Sequence, residues 1–225
     1  IRRHVPEFQG PLTAEKFSGG QSNPTFKLTA GDRQYVLRRK PQGTLLASAH
    51  AVDREFKVLS ALSSTNVPVP VPVALCEDET IIGSMFYVME YLEGRIFWDP
   101  ALPEVNDADR GEIYDQMNQV LADMHNVDIH AVGLSDYGKP GNYFERQIGR
   151  WTKQYRAAET TRIPAMEKLI EWLPNHMPED DGRVSLVHGD YRLDNMIFHP
   201  TEPKIIGVLD WELSTLGHPL SLIHI

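Results

Sequence analysis

The stretch "LVHGDYRLDNMIF", residues 186–198, decides how this chain is read. Two apolar runs, "VSLV" at 184–187 and "MIF" at 196–198, have the length of short buried strands, and His188, Asp190, Asp194 and Asn195 lie on the turn between them. A turn by itself needs only Gly and Asn or Asp. A His, two Asp and an Asn in that order ask for a shared chemistry. Asp190 and Asn195 are five positions apart, and Asp210 closes the second strand of a hairpin expected through "HPTEPK", 199–204. A hairpin brings its ends together, so two carboxylates and an amide oxygen would converge. These hard oxygen donors suit Mg²⁺ carrying a polyphosphate.

With 225 residues and 41% hydrophobic content, the chain can bury a real core as one large domain or two lobes. Its formal net charge of −9 argues against non-specific binding to nucleic acid or anionic membrane, both of which need surplus Lys and Arg. A phosphate-bearing ligand must therefore be held by a local site. The single cysteine, Cys76, excludes an internal disulfide and fits the cytoplasm or another reducing intracellular compartment. No apolar run has the length of a membrane span, so no membrane insertion is expected. The start at Ile1 suggests a fragment or a processed product.

Outward from the opening stretch, the two ends of the chain differ in character. "TFKLTAGDRQYVLRRK", 25–40, gives two alternating runs around Gly31 and Asp32, a β-hairpin pattern, and "FSGGQSNP", 17–24, precedes it. "SAHAVDREFKVLSAL", 48–62, has Val52, Phe56, Leu59 and Leu62 at helical spacing. "VPVPVPV", 67–73, reads as an extended connector or edge segment, because alternating Pro removes donors. "SMFYVMEYLEG", 84–94, reads as a strand running into a loop. From 110 onward three helices are expected, at 110–127, 142–159 and 163–173, the first presenting Ile113, Met117, Val120, Leu121 and Met124 on one face. This divides the chain into a sheet-rich N-lobe, 1–93, and a helix-rich C-lobe, 94–225, with a cleft between them as a ligand site.

Glu55 shares the helical arc of Val52, Phe56 and Leu59, so a carboxylate faces the packed side and calls for a partner. The histidines lack ligand spacing: His125 and His130 are five apart, and His199, His218 and His224 have no partner. Trp98, Trp151 and Trp172 carry no interleaved basic residues, so packing is the expected role and a nucleic-acid platform is not.

"LVHGDYRLDNMIF" followed by "GVLDWE", 207–212, resembles the aminoglycoside-phosphotransferase and choline-kinase-like superfamily. "YVLRRKP", "REFKVLSAL", "VMEYLEGR", "LADMHNVD", "RQIGRWTKQY" and "STLGHPL" are similar to the phosphotransferase domain found alongside acyl-CoA dehydrogenase domains, so the likeness runs from about Phe17 to Leu220. The resemblance implies an α+β, bilobal protein-kinase-like fold, with an antiparallel-sheet N-lobe and a mainly helical C-lobe that is incomplete at its end. It makes Asp190 the catalytic residue that orients the acceptor hydroxyl, and Asn195 and Asp210 the Mg²⁺ ligands. His188 becomes a scaffold residue, and Asp194 a bystander or loop hydrogen-bonder. ATP is the implied donor, covered by the turn of Gly20, Gln21, Ser22 and Asn23 through backbone N–H groups. At the position of the strand lysine that pairs with the helix glutamate in kinases stands Arg38, favoured over Lys40 on the same face as the partner of Glu55. "MEYLEG" resembles a kinase hinge, where the Glu90 carbonyl and Leu92 N–H would read the adenine edge.

Protein kinases place Arg after the catalytic-loop His and Phe-Gly after the metal Asp, whereas this chain has Gly189 and Trp211. A small-molecule hydroxyl is therefore the expected acceptor, and a hydroxyl on an acyl-CoA is the implied class, with a covalently linked or associated acyl-CoA dehydrogenase domain as partner. Two alternatives stay open: an aminoglycoside-type antibiotic kinase, and a nucleotide-binding domain without turnover. "SLIHI", 221–225, departs from the family pattern and reads as foreign sequence.

Overall fold

The computed structural model describes residues 8, 10–17, 23–41, 51–139, 141–179 and 181–222. Its first half is an antiparallel sheet of β1 (Leu12–Lys16), β2 (Thr25–Ala30), β3 (Arg33–Arg39), β4 (Pro72–Cys76) and β5 (Phe86–Glu90), in the order β1-β2-β3-β5-β4, with helix α1 (Val52–Leu62) between β3 and β4. The expected β2–β3 hairpin turns at Gly31, whose φ of +60° suits the residue without a Cβ. Period-two alternation sorts the side chains. Leu28, Tyr35, Phe86 and Val88 cluster on one face of the sheet, while Val36, Tyr87 and Met89 join α1 in the main core.

Strand β1 was not expected: "LTAEK" is exposed throughout and has no apolar alternation to announce it. It exists by backbone pairing with β2, from Leu12 opposite Ala30 to Lys16 opposite Phe26. The proline-rich segment divides between the two roles expected for it. Residues 67–71 connect, with the Pro68 carbonyl accepting from Val208 N–H at 2.8 Å. Pro72 then opens the edge strand β4, where a missing ladder donor costs least.

The second half holds α2 (Asp107–His125), α3 (Tyr143–Ala158), α4 (Pro164–Trp172) and four short strands, β6 (Ser185–Val187), β7 (Met196–Phe198), β8 (Ile205–Val208) and β9 (Thr215–Gly217). Asn106 caps α2 by accepting from Asp109 N–H at 2.9 Å, and Ile113, Val120 and Met124 form its buried face. The two apolar runs of the opening stretch are strands, but they do not pair with each other. β6 pairs with β9, and β7 pairs with β8 through the expected 199–204 hairpin. Residues 188–195 therefore cross between two ribbons. A single core runs from Val36 and α1 through α2 to β6–β9.

One expectation fails. Trp98, Trp151 and Trp172 are not core residues: Trp98 is 71% exposed, the other two are half exposed or more, and neither α3 nor α4 has a buried residue. The buried tryptophan is Trp211. Among the described residues, no helix is long and apolar enough to cross a membrane.

Candidate active site

The crossing loop is built on a buried histidine. His188 is fully buried, its Nε2 donating to the Leu209 carbonyl at 2.9 Å and its Nδ1 accepting from Asp190 N–H at 3.2 Å. Burial pushes its pKa down, against the pull of the Leu209 carbonyl, so the ring is held neutral with one nitrogen donating and one accepting. His188 thus ties the loop to the end of β8, the scaffold role expected for it. Gly189 has φ +85°, and a Cβ there would stand 2.7 Å from the Leu213 carbonyl oxygen. Only glycine fits this approach.

Beyond Gly189, Asn195 Nδ2 donates to both the backbone carbonyl and Oδ2 of Asp190, each at 2.9 Å. Leu209 N–H donates to the Asn195 carbonyl at 2.8 Å, which extends the β7–β8 pairing and sets Asn195 beside the residue preceding Asp210. Asp190, Asn195 and Asp210 thus lie at the same end of the β7–β8 ribbon. Asp194 accepts from its neighbour Arg192, Nε to Oδ1 at 2.6 Å.

Asp210 has φ +63° and directs its carboxylate across to the sheet. There Arg38 Nη2 meets Asp210 Oδ1 at 2.5 Å, while Arg38 Nε lies 3.1 Å from Glu55 Oε2. Glu55 is 1% exposed and also accepts from the Tyr87 hydroxyl at 2.7 Å. Asn23, whose side chain is buried, donates to Glu212 at 3.0 Å and to Glu55 at 3.4 Å. Burial drives the Glu55 carboxyl up to about 7, against the downward pull of Arg38 and Tyr87. Burial opposes the Arg38 charge, but Glu55, Tyr87 and Asp210 outweigh it, and the guanidinium stays protonated. Tyr87 is pushed up by burial and by Glu55.

Of the residues singled out in the sequence, Arg38 is the cation that pairs with Glu55, and Asp210 joins the same cluster. Glu90 ends β5 and is tied to Val71, donating its N–H at 2.9 Å. Leu92 lies over β8, where a Cβ on Gly207 would come within 2.5 Å of Leu92 Cδ1. Gly20, Gln21 and Ser22 lie outside the described residues. Two members of the cluster went unnoticed in the sequence. Tyr87 had a signal, since the alternation of "FYVME" sets it on the inward face with Met89. Glu212 had none: its approach depends on the left-handed turn at Asp210.

The donor set suits a hard divalent cation. Asn195 spends its amide nitrogen on Asp190, which leaves Oδ1 free among the described residues, and Asp210 keeps Oδ2 free and its side chain 28% exposed. Glu55, Asp210 and Glu212 also offer carboxylate oxygens within 4.8 Å of one another, but Arg38 already serves this group.

A sheet with one crossing helix, packed on a helical half whose short strands carry an Asp–Asn loop and a following Asp, is a kinase-like phosphotransferase fold. The chain belongs to the family described as "Phosphotransferase enzyme family", whose profile matches residues 13–221. It is similar to a Ralstonia eutropha protein whose name places it among the aminoglycoside phosphotransferases. That crystal structure superposes with a TM-score of 0.89 at 58% identity, over 97% of this chain and 64% of the other. It is 56% identical over 212 residues to mouse acyl-CoA dehydrogenase family member 10, covering 94% of this chain and 20% of that protein. With human acyl-CoA dehydrogenase family member 11 it shares 50% identity over 225 residues, 98% of this chain and 29% of that one. The chain thus spans less than a third of these curated relatives, which are named for acyl-CoA dehydrogenases. The streptomycin–ATP complex of APH(2")-IIa shares the fold, with a TM-score of 0.67 at 18% identity, over 97% of this chain and 70% of that one.

Proposed function

We propose that this chain transfers the γ-phosphoryl group of ATP to a hydroxyl of a small molecule. The observation that carries the reading is that Asp190 and Asn195 lie at the same end of the β7–β8 ribbon as Asp210, with Arg38 linking Asp210 to the buried Glu55. Phosphoryl transfer needs an aligned hydroxyl and neutralised phosphate oxygens more than a strong base. In this reading Asp190 accepts the hydroxyl hydrogen bond and takes its proton as the hydroxyl oxygen bonds to the γ-phosphorus. The bond from that phosphorus to the β–γ bridging oxygen then breaks, and ADP leaves. Asn195 Oδ1 and Asp210 would hold Mg²⁺, whose chemistry when bound is to neutralise the polyphosphate charge. Arg38, fixed by Glu55, supplies a positive group at the same place. The Glu90 carbonyl and Leu92 N–H are the candidates for contact with the base, and backbone N–H groups of Gly20, Gln21, Ser22 and Asn23 for contact with the phosphates.

The names of the curated relatives support a hydroxyl on an acyl-CoA as the acceptor. The name of the Ralstonia relative supports an aminoglycoside instead, and the net charge of −9 suits a polycation. Thermal shift with ATP and Mg²⁺, followed by ATP turnover against hydroxyacyl-CoA and aminoglycoside panels with Asp190→Ala as control, tests both. Binding without turnover on any acceptor favours a nucleotide-binding domain without catalysis; no nucleotide binding sinks the phosphotransferase reading.

A further inference from the structure

Arg54 stands next to Glu55 on α1 but reaches in another direction. Its Nη2 donates to the carbonyls of Tyr137 at 2.9 Å and Ser214 at 3.2 Å, and its guanidinium lies 4.1 Å from the centre of the Tyr137 ring. Ser214 Oγ donates to the Trp211 carbonyl at 2.5 Å and accepts a hydrogen bond from the Tyr137 hydroxyl at 2.7 Å. Tyr137 and Ser214 are both buried. The result is a closed clamp from α1, through the 134–137 turn, to the far end of the segment that begins at Asp210.

That segment needs holding. Asp210 sits at φ +63°, a left-handed conformation that is unfavourable for a residue with a Cβ, and it persists only where the surroundings over-determine it. Three residues in a 3-10 turn, Trp211–Leu213, separate it from Ser214. Trp211 anchors the near end, its Nε1 donating to Val208 at 2.9 Å. Arg54 anchors the far end to the helix that also carries Glu55, and Glu55 fixes Arg38, the counter-ion of Asp210. Backbone and counter-ion of Asp210 are thus referred to one helix.

We propose that Arg54 is a positioning residue that, through Ser214 and Tyr137, holds Asp210 where it can take Mg²⁺ with the nucleotide. The proposal rests on the phosphotransferase reading above. Isothermal titration of the full chain with ATP alone and with Mg²⁺ at fixed ATP, together with the Mg²⁺ dependence of turnover, tests it. Arg54→Met should raise half-saturating Mg²⁺ about tenfold, as expected when a group shifts by a fraction of an ångström, and leave metal-free ATP affinity within about twofold. Arg54→Lys should recover part of the loss, and Lys57→Met, which breaks the exposed Lys57–Asp136 pair between the same elements, should leave Mg²⁺ dependence unchanged. Unchanged half-saturation in Arg54→Met, with loss only of melting temperature or active fraction, overturns the proposal. Should Arg54→Met not fold, Arg54→Lys, which keeps the charge but not the guanidinium, is read alone, and a rise in half-saturating Mg²⁺ or its absence decides. A wild-type chain that binds no Mg²⁺ with ATP overturns the phosphotransferase reading and this proposal together, and the wild-type titration separates that failure from the first.

Discussion

Arg38 and Asp210, separated by 172 positions, meet at 2.5 Å, and through this contact the sheet half of the molecule touches the loop end of the helical half. Arg38 also forms an ion pair with Glu55, Nε to Oε2 at 3.1 Å. Above pH 7, where Glu55 is ionised, removing the guanidinium leaves a buried carboxylate without its cation, a change that costs roughly 3–5 kcal/mol. Arg38→Met should therefore lower the urea-unfolding free energy by about that much. The double variant Arg38→Met/Glu55→Gln should recover more than half, because no buried charge is then left alone. Equal losses in the single and double variants would show that the pair is not the source.

Glu55 also sets a pH dependence. Its folded pKa of about 7 lies above the unfolded 4.5, so between these values the folded chain holds the extra proton. The associated stability is complete below pH 4.5 and lost as pH rises through about 7. Urea titrations across this window should show the difference between wild type and Glu55→Gln falling by about 3 kcal/mol as pH rises. A rising difference would refute the assignment.

His188 works in the opposite sense. Burial lowers its pKa below 6.5, so its contribution is present above pH 6.5 and lost as pH falls through the lowered value. Acid unfolding monitored by Trp fluorescence should begin at lower pH in His188→Gln than in wild type, once the lower stability at neutral pH is subtracted.

Asp190→Asn should leave binding of ATP and Mg²⁺ within about twofold and reduce kcat by roughly 10²–10⁴-fold, the usual worth of a positioned proton acceptor. The measurement is single-turnover phosphate transfer to whichever acceptor the panel identifies. A kcat within threefold of wild type would remove Asp190 from the chemistry.

Gly189→Ala places a Cβ 2.7 Å from the Leu213 carbonyl at a φ of +85°. Strain of this kind costs about 1–3 kcal/mol, and the backbone is the obstacle, so relaxation is limited. The melting temperature should fall, and Asp190 should lose its alignment with Asn195, seen as a larger fractional loss of kcat than of folded protein.

Much of the fold was legible because its signals are local. The spacing of Ile113, Val120 and Met124 announces α2, the Gly31 turn announces the β2–β3 hairpin, and the 199–204 turn announces β7–β8. β1 was not legible, since exposed "LTAEK" is held by pairing alone. The three tryptophans misled for the converse reason: apolar character predicts burial only where another element covers the face.

The site divides along the same line. Asp190, Asn195 and Asp210 could be joined from sequence, because a short hairpin constrains residues on either side of it whatever else the chain does. The inward direction of Glu55 followed from helical period alone. The sequence by itself thus determined the types of the main elements and the residues of the crossing loop. Only the tertiary structure decided that Asp210 and Glu212 share Arg38 with Glu55, that Asn23 joins them, and that Arg54 clamps the following turn. Those contacts span up to 189 positions. They exist because one continuous core docks α1 against β6–β9, and no periodicity or turn signal encodes a distance set by that packing.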